Sequence, residues 1–132
     1  MRGLDTNVLV RYLAADDEKQ LATVEQLLDD SQRNREPLLL TAIALCELVW
    51  VLTTRYDQSK SEIIRAVEVL LSMDYLTIEY ETVVRRSVES FRNGKGSFSD
   101  YLIAGICTQH GCRDFVTFDR ALKHSARITV LA

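Results

Sequence analysis

The chain has 132 residues, of which 47% are hydrophobic and 27% charged, and its formal net charge is −3. This length suits one domain with a real core, and the composition is that of ordinary soluble globular proteins rather than disordered or fibrous ones. The balance of 16 basic and 19 acidic residues argues weakly against a nucleic-acid-binding protein, a class that is usually basic.

Further features bear on where the protein resides. No apolar stretch follows Met1, which predicts no secretory signal, and the run Leu38–Leu52 is too short to span a membrane and carries Glu47 in its middle. The cysteines are odd in number and form no C-x-x-C pair, so neither a disulfide framework nor a zinc site is indicated. They are Cys46, Cys107 and Cys112. We therefore expect reduced thiols in a cytoplasmic protein without membrane association.

Short apolar strands alternate with amphipathic helices along the chain. In chain order we expect a strand at 1–4, helices at about 6–13 and 18–30, a strand at 38–41, helices at about 42–54 and 59–71, a strand at 75–78, helices at about 81–91 and 98–110, a strand at 115–118, a helical turn at 120–124 and a strand at 128–131. Such alternation implies parallel strands joined by crossovers, with helices on both faces. The predicted fold class is α/β, a three-layer α/β/α sandwich around a small, mostly parallel central sheet, and residues 1–132 are expected to form a single domain.

One carboxylate lies within the least polar stretch of the chain. Between Pro37 and Thr54 the only charged residue is Glu47. Helical spacing puts Ile43 and Trp50 on the same face as Glu47, so this face is expected to be buried, with Trp50 in the core. A buried, unpaired carboxylate is costly, and Glu47 should therefore be neutral, paired or bound to a metal.

Three aspartates are expected to meet Glu47 at one rim of the sheet. Asp5 and Asp119 each follow a predicted strand at its carboxyl end, where parallel sheets bind their ligands. Asp100 lies in the first turn of a helix, on the face that apolar spacing turns inward together with Ile103. Because strand ends and helix starts share one rim in this topology, the four carboxylates are expected to converge.

A cluster of four carboxylates predicts a metal site. The four cannot all stay ionised without a counter-charge, because like charges raise one another's pKa. Oxygen ligands without His or Cys suit Mg²⁺ or Mn²⁺ rather than zinc. Such an ion takes phosphate oxygens as further ligands, activates water and stabilises charge on phosphorus, which predicts hydrolysis of a phosphodiester. Of the 19 acidic residues, setting the four aside leaves 15 against 16 basic ones, which weakens the objection from net charge.

Four segments of the sequence resemble the PIN-domain nucleases, in particular the VapC-type toxins of toxin–antitoxin pairs. They are L-D-T-N-V-L-V-R-Y-L at 4–13, A-L-C-E-L at 44–48, F-S-D-Y-L-I-A at 98–104 and V-T-F-D-R at 116–120. By this resemblance the metal-binding acids of the family correspond to Asp5, Glu47, Asp100 and Asp119, and the polar residues beside the first and last acid to Asn7 and Thr117. Tyr101 and Gly105 depart from the family pattern, in which alanine is common at both places.

The resemblance implies Mg²⁺- or Mn²⁺-dependent cleavage of RNA, a homodimer, and a cognate antitoxin whose tail blocks the site. Basic residues close to the acids in sequence are candidate contacts for RNA phosphates, with ordinary solvated charge as the alternative explanation. These candidates are Arg11, Arg92, Lys95, Arg120 and Lys123.

Each acid also has a plain structural explanation. Asp5 and Asp119 can cap helices, Asp100 is favourable near a helix N-terminus, and Glu47 can form an ion pair. A PIN-like module that binds RNA or a partner without cleavage therefore stays open. A phospho-acceptor signalling domain also gathers acids at strand ends, but it needs adjacent acids after the first strand and a lysine after a later one. A phosphatase of the haloacid dehalogenase type needs D-x-D where this chain has D-T-N.

Overall fold

The helices and strands form where apolar spacing and capping residues predict them. In a computed structural model that describes residues Met1–Ala132, the elements are β1 (Arg2–Gly3), α1 (Thr6–Ala14), α2 (Glu18–Asn34), β2 (Leu38–Leu40), α3 (Ala42–Thr54), α4 (Lys60–Leu71), β3 (Leu76–Ile78), α5 (Glu81–Asn93), α6 (Phe98–Gln109), β4 (Phe115–Thr117), a 3₁₀ turn (Arg120–Leu122) and β5 (Ile128–Val130). They fall into two compact units, Met1–Glu79 and Tyr80–Ala132. The predicted α/β fold class with short parallel strands is confirmed; the single domain stays a prediction. None of the helices combines the length and the apolar character needed to cross a membrane.

The first unit is built on a three-stranded parallel sheet with the strand order β1–β2–β3. Its central strand β2 consists of leucines because a middle strand of a parallel sheet is covered on both faces. Leu38 and Leu40 are fully buried and Leu39 is half-buried. Each fully buried leucine contributes about 1.5–3 kcal/mol relative to an exposed one, so β2 is the anchor of this unit.

Helix α3 turns a different face to the core than the sequence predicts. Its buried side chains are Ala42, Leu45, Leu48, Val49, Val51 and Leu52. In contrast, Ile43 is 81% exposed, Trp50 is 57% exposed, and Glu47 is exposed as well. The predicted burial of Glu47 and Trp50 is therefore wrong. Because nearly every position of this helix is apolar, the spacing alone does not specify which face lies inward.

The second unit contains α5, α6 and a two-stranded parallel sheet in which β4 pairs with β5. Asp119 follows a strand of this sheet, whereas Asp5 follows β1 of the three-stranded sheet. The prediction that both acids follow strands of one hydrogen-bonded sheet is therefore wrong. Apolar runs predict that a strand exists, but they carry no information about the strand with which it pairs.

Helices α5 and α6 approach each other closely at Gly105. A Cβ atom at this position would lie 2.5 Å from Cγ1 of Val83, and Val83 is a buried, β-branched residue with little rotamer freedom. Tyr101, one turn earlier, packs against the loop before α6, where its hydroxyl oxygen accepts a hydrogen bond from the Gly96 N–H at 3.0 Å. Both departures from the PIN pattern are thus packing residues of the second unit.

Because Gly105 lies against Val83, the effect of Gly105→Ala on stability should depend on the residue at position 83. In the parent protein, Gly105→Ala should lower the free energy of unfolding by about 1–2 kcal/mol, because overpacking outweighs the gain in helix propensity. In a Val83→Ala background the clash is relieved, and the same substitution should stabilise by up to about 1 kcal/mol. Chemical denaturation of the four proteins measures this coupling. Equal effects in both backgrounds would contradict it.

Candidate active site

Polar residues follow the three strands of the first unit in a common register. They are Asp5 after β1, Thr41 after β2 and Glu79 after β3, with Thr41 between the two acids. Asp5 occupies the N-cap position of α1, but its side chain accepts no capping hydrogen bond. It is also exposed. Helix capping therefore does not account for the aspartate at this position.

Helix α3, which carries Glu47, is capped from two strands. The Thr41 hydroxyl accepts a hydrogen bond from the Ala44 N–H at 3.2 Å, and Oε1 of Glu79 accepts one from the Ala42 N–H at 2.9 Å. The negative charge of Glu79 is also favourable at the positive end of the helix. Glu79 is not among the residues predicted from the sequence, although it directly follows a strand and thus carries the same signal as Asp5.

Thr6 of the D-T-N segment links the start of α1 to α3. It is buried, and its Oγ1 donates a long hydrogen bond of 3.5 Å to the carbonyl oxygen of Ala44. This contact attaches the residue after Asp5 to the first turn of the helix that carries Glu47. Asn7, next in the chain, is exposed.

Glu47 lies in the second turn of α3, and its carboxylate is exposed without a hydrogen bond or an ion pair. The residues one turn away on the same face, Ile43 and Trp50, are exposed and apolar. Glu47 therefore does not form the ion pair that would have explained its presence structurally. An exposed carboxylate between exposed apolar side chains has no role in holding this unit together.

Asp100 in the second unit belongs to a capping box at the start of α6. Its N–H donates to Oγ of Ser97 at 3.2 Å, and the Ser97 N–H donates to Oδ2 of Asp100 at 3.4 Å. The second carboxylate oxygen, Oδ1, accepts no hydrogen bond. Asp100 is only partly buried, and Ile103, which was predicted to face inward with it, is 46% exposed. The prediction for Ile103 is wrong because Phe98, Tyr101, Leu102 and Ala104 form the buried side of this helix.

Asp119 is also a capping residue. Its Oδ1 accepts a hydrogen bond from the Ala121 N–H at 2.9 Å, at the start of the 3₁₀ turn. Its own N–H donates to Oγ1 of Thr117 at 3.0 Å. Thr117, at the end of β4, thus orients the backbone that carries the acid, while Oδ2 of Asp119 accepts no hydrogen bond.

The basic residues predicted to contact RNA fall into two groups. Arg11 pairs with Asp16 at 3.5 Å and Arg92 pairs with Glu89 at 3.4 Å, and all four side chains are substantially exposed. Such surface pairs contribute at most about 1 kcal/mol. The other three lie in the second unit, along a groove of about 750 Å³; they are Lys95, Arg120 and Lys123.

The three cysteine thiols are free. Partial burial raises the pKa of the Cys107 thiol above its ordinary value, and the neighbouring Cys112 raises it further. A thiol with a raised pKa is protonated at neutral pH, so Cys107 is not prepared to act as a nucleophile or as a metal ligand.

The carboxylate oxygens of the four acids predicted to bind metal are of the type that a hard divalent cation prefers. Asp5 and Glu47 keep both carboxylate oxygens free of hydrogen bonds, and Asp100 and Asp119 keep one each. Oxygen ligands of this kind suit Mg²⁺ or Mn²⁺. The acids are divided two and two between the units. No three His, Cys, Asp or Glu side chains of the chain are arranged as a group that could hold a metal ion.

Comparison with known proteins gives the family. A family model of the PIN domain matches residues 4–128, a range that contains all four acids. The chain therefore belongs to the PIN domain family, as the resemblance of its motifs predicts. It is also similar to a VapC ribonuclease of Aquifex aeolicus (strain VF5), with 28% identity over 123 residues that cover 93% of this chain and 90% of that protein.

The double capping of α3 predicts a graded loss of stability at Glu79. Glu79→Ala removes both the acceptor of the Ala42 N–H and the negative charge, so it should lower the free energy of unfolding by about 1–2 kcal/mol. Glu79→Gln keeps an acceptor oxygen and loses only the charge, so it should cost about 0.3–1 kcal/mol at low salt and less at high salt. Thermal unfolding at two ionic strengths measures both effects. An equal loss for the two variants would mean that the hydrogen bond is not the source of the stabilisation.

Proposed function

We propose that the protein is a Mg²⁺- or Mn²⁺-dependent endoribonuclease that hydrolyses RNA phosphodiester bonds. We further propose that it is the toxin of a type II toxin–antitoxin pair, acts in the cytoplasm as a homodimer, and is inhibited by a cognate antitoxin. Membership of the PIN family and the similarity to a VapC ribonuclease support this class of function. In this proposal residues 1–132 form one nuclease domain.

One observation carries the proposal: each of the four acids keeps at least one carboxylate oxygen that accepts no hydrogen bond within the protein. For Asp5 and Glu47 both oxygens are free, and neither residue contributes a cap or an ion pair to its unit. Exposed acids without structural partners are candidates for binding and catalysis. We assign Asp5, Glu47, Asp100 and Asp119 as the residues that hold the metal ion.

The residues around the acids have positioning roles in this proposal. Thr117 and Ser97 fix the backbone at Asp119 and Asp100, and Thr6 attaches the D-T-N segment to α3. A divalent ion held by the acids supplies activation of water and stabilisation of the charge that develops on phosphorus. It would also offset the mutual repulsion of the carboxylates that bind it.

The alternative, a PIN module that binds RNA or a partner without cleavage, has a specific observation in its favour. Asp100 and Asp119 both act as caps, which is a sufficient reason for an aspartate at each position. A decisive experiment must therefore remove the charge and leave the cap intact.

Asparagine substitutions do this, because asparagine caps as well as aspartate at the N-cap position 119, and at position 100 its amide oxygen can still accept the Ser97 N–H. Asp100→Asn and Asp119→Asn should each stay within about 0.5 kcal/mol of the parent stability. Each should nevertheless lose cleavage by about a hundredfold or more, as should Asp5→Asn, because stabilisation of transition-state charge is lost. The measurement is cleavage of a mixed cellular RNA pool with Mg²⁺, with Mn²⁺ and with EDTA, together with thermal unfolding.

Glu79→Gln is the matched control, since it removes a charge from the same strand ends and retains an oxygen to cap α3. It should cleave at the parental rate. If Asp100→Asn and Asp119→Asn also cleave at the parental rate, these two aspartates serve only as caps; parental cleavage by all three asparagine variants would show that the assigned site is wrong. Binding of RNA without cleavage by the parent protein would support the binding module instead.

Glu47 gives a second prediction, with a readout independent of activity. Because its carboxylate is exposed and unpartnered, Glu47→Gln should leave the melting temperature unchanged in EDTA. An ion bound to the native state at ten times its dissociation constant adds about 1.4 kcal/mol of stability. Calorimetry with increasing Mn²⁺ should show this stabilisation in the parent and a much smaller one in Glu47→Gln. The same increase in both proteins would remove Glu47 from the ligand set.

A further inference from the structure

Two of the three cysteines lie at the C-terminal end of α6, in a motif that brings their side chains together. The N–H of Cys112 donates to the carbonyl oxygen of Cys107, and the N–H of Gly111 donates to that of Thr108, both at 3.0 Å. Gly111 has a φ of +90°, so this is the Schellman arrangement of a helix end. Cys107 and Cys112 occupy the two positions whose side chains characteristically meet across that motif.

The geometry of this pair suits a disulfide bond. Because the amide nitrogen of Cys112 lies 3.0 Å from the carbonyl oxygen of Cys107, the two Cα atoms are at most about 7 Å apart. Disulfides join residues whose Cα atoms are about 4.4–6.8 Å apart. The two side chains are also hydrogen-bonded to each other, and both thiols are free. The pair is therefore a dithiol whose sulfur atoms are already close together.

The end of α6 is held in place by further hydrogen bonds. The N–H of the C-cap residue, His110, donates to the carbonyl oxygens of Ile106 and Cys107, both at 3.1 Å. The imidazole Nε2 of His110 and the hydroxyl of Tyr80, at the start of α5, are hydrogen-bonded at 3.2 Å. The backbone that carries the two thiols is thus ordered, and closure of a ring over residues 107–112 requires little rearrangement.

The two thiols differ in their access to solvent. Cys112 is exposed, whereas Cys107 is half-buried, and burial together with the neighbouring Cys112 raises the pKa of the Cys107 thiol. A reagent in solution therefore meets Cys112 first, while Cys107 is a poor nucleophile toward a dissolved reagent. Toward a sulfur that is held beside it, proximity compensates for a small thiolate fraction.

Apolar packing is the plain explanation for this pair, since Schellman motifs favour an apolar contact and a reduced cysteine behaves as a small hydrophobic residue. Valine or leucine would make such a contact equally well. Cys112 is also exposed, so it removes little apolar surface from water. Packing alone is thus a weak reason for sulfur at both positions.

We propose that Cys107 and Cys112 form a reversible dithiol–disulfide site that reacts with small-molecule disulfides such as oxidised glutathione. In the first step the Cys112 thiol loses its proton to water and attacks one sulfur of the reagent, whose S–S bond breaks and whose departing thiolate takes up a proton. In the second step Sγ of Cys107 loses its proton and attacks Sγ of Cys112, which releases the other half of the reagent as a thiol. The protein gives up two electrons and two protons, and the reagent leaves as two thiols.

This inference does not depend on the proposed ribonuclease function. Asp100 lies on the same helix seven residues before Cys107, about 10 Å away along the axis. In a reducing compartment the pair is a dithiol, and the disulfide forms only when the ratio of oxidised to reduced small-molecule thiols rises. The modification then fixes the end of α6 covalently.

Peptide masses after treatment with oxidised glutathione test the site. The native protein is treated, alkylated to block free thiols and digested with trypsin. Cleavage after Lys95 and Arg113 leaves both cysteines of the pair in the peptide 96–113, whereas Cys46 lies in the peptide 36–55. We expect peptide 96–113 to be unalkylated and lighter by two hydrogen atoms, and dithiothreitol to reverse the change. The matched control, C46S, should give the same result.

Two variants separate the steps of the reaction. C107S should accumulate a glutathione adduct at Cys112, because the second thiol is missing, whereas C112S should react little. Thermal unfolding checks that both variants are folded. Equilibration of the parent with mixtures of reduced and oxidised glutathione gives the equilibrium constant for disulfide formation. This constant should be roughly tenfold or more larger in the native protein than in urea, because a disulfide that suits the native state stabilises it.

The other outcomes overturn the site. A glutathione adduct that persists at Cys112 in the parent would show that the two sulfurs cannot reach each other, and a disulfide to Cys46 would show that the pair is not the preferred one. An absence of adduct in C107S would mean that Cys112 is not the point of entry. Equal equilibrium constants in native buffer and in urea would mean that nearness in sequence, rather than the folded end of α6, brings the sulfurs together.

Discussion

The capping of α3 by residues that follow two different strands is the interaction on which the first unit depends. Parallel strands end at one edge of their sheet, and the amide groups at the start of the next helix need acceptors at that same edge. Thr41 and Glu79 supply these acceptors. Sheet and helix are thereby fixed to each other at the strand ends that include Asp5 and at the start of the helix that carries Glu47. Polar residues at this edge are thus divided between those that hold the structure and those left free.

In the second unit, a single carboxylate both stabilises the backbone and keeps an oxygen free. There Asp100 and Asp119 each use one carboxylate oxygen to satisfy backbone amides and leave the other oxygen free. A carboxylate held in this way has fewer orientations to lose when it binds a ligand, which lowers the entropic cost of binding. Asp5 and Glu47 lack this restraint in their side chains, and their order comes only from the backbone of the helices that carry them.

Much of this architecture is predictable from the sequence, because it rests on local signals. Apolar spacing predicts the helices, and Thr41, Ser59 and Ser97 predict where three of them begin. The four acids were found as the residues that follow strands or open helices, together with the lone charge of an apolar helix. Glu47, in contrast, is exposed, so the burial expected from its apolar neighbours in the sequence is wrong.

What could not be predicted depends on contacts between residues distant in sequence. The inward face of α3 is decided by the elements packed against it, and a helix that is apolar all round gives no indication of that choice. The pairing of β4 with β5, the cap from Glu79 and the groove lined from α5, α6 and the segment 120–128 are likewise products of the folded chain. Lys95 and Lys123 are distant in sequence, and only the folded chain brings both to one groove.

The close approach of α5 and α6 at Gly105 restricts how this sequence can change over time. With the buried Val83 in place, a Cβ atom at position 105 would lie 2.5 Å from Cγ1 of Val83, so the valine side chain or a helix must shift to admit it. Alanine there costs stability while Val83 is present and is better tolerated after position 83 has become smaller, which favours that order of the two changes. Relatives with alanine at the position of Gly105 are expected to carry a smaller residue opposite it, or a wider spacing of the two helices. The separation of the two helices should therefore produce, among relatives, a correlation between two positions that lie 22 residues apart in the chain.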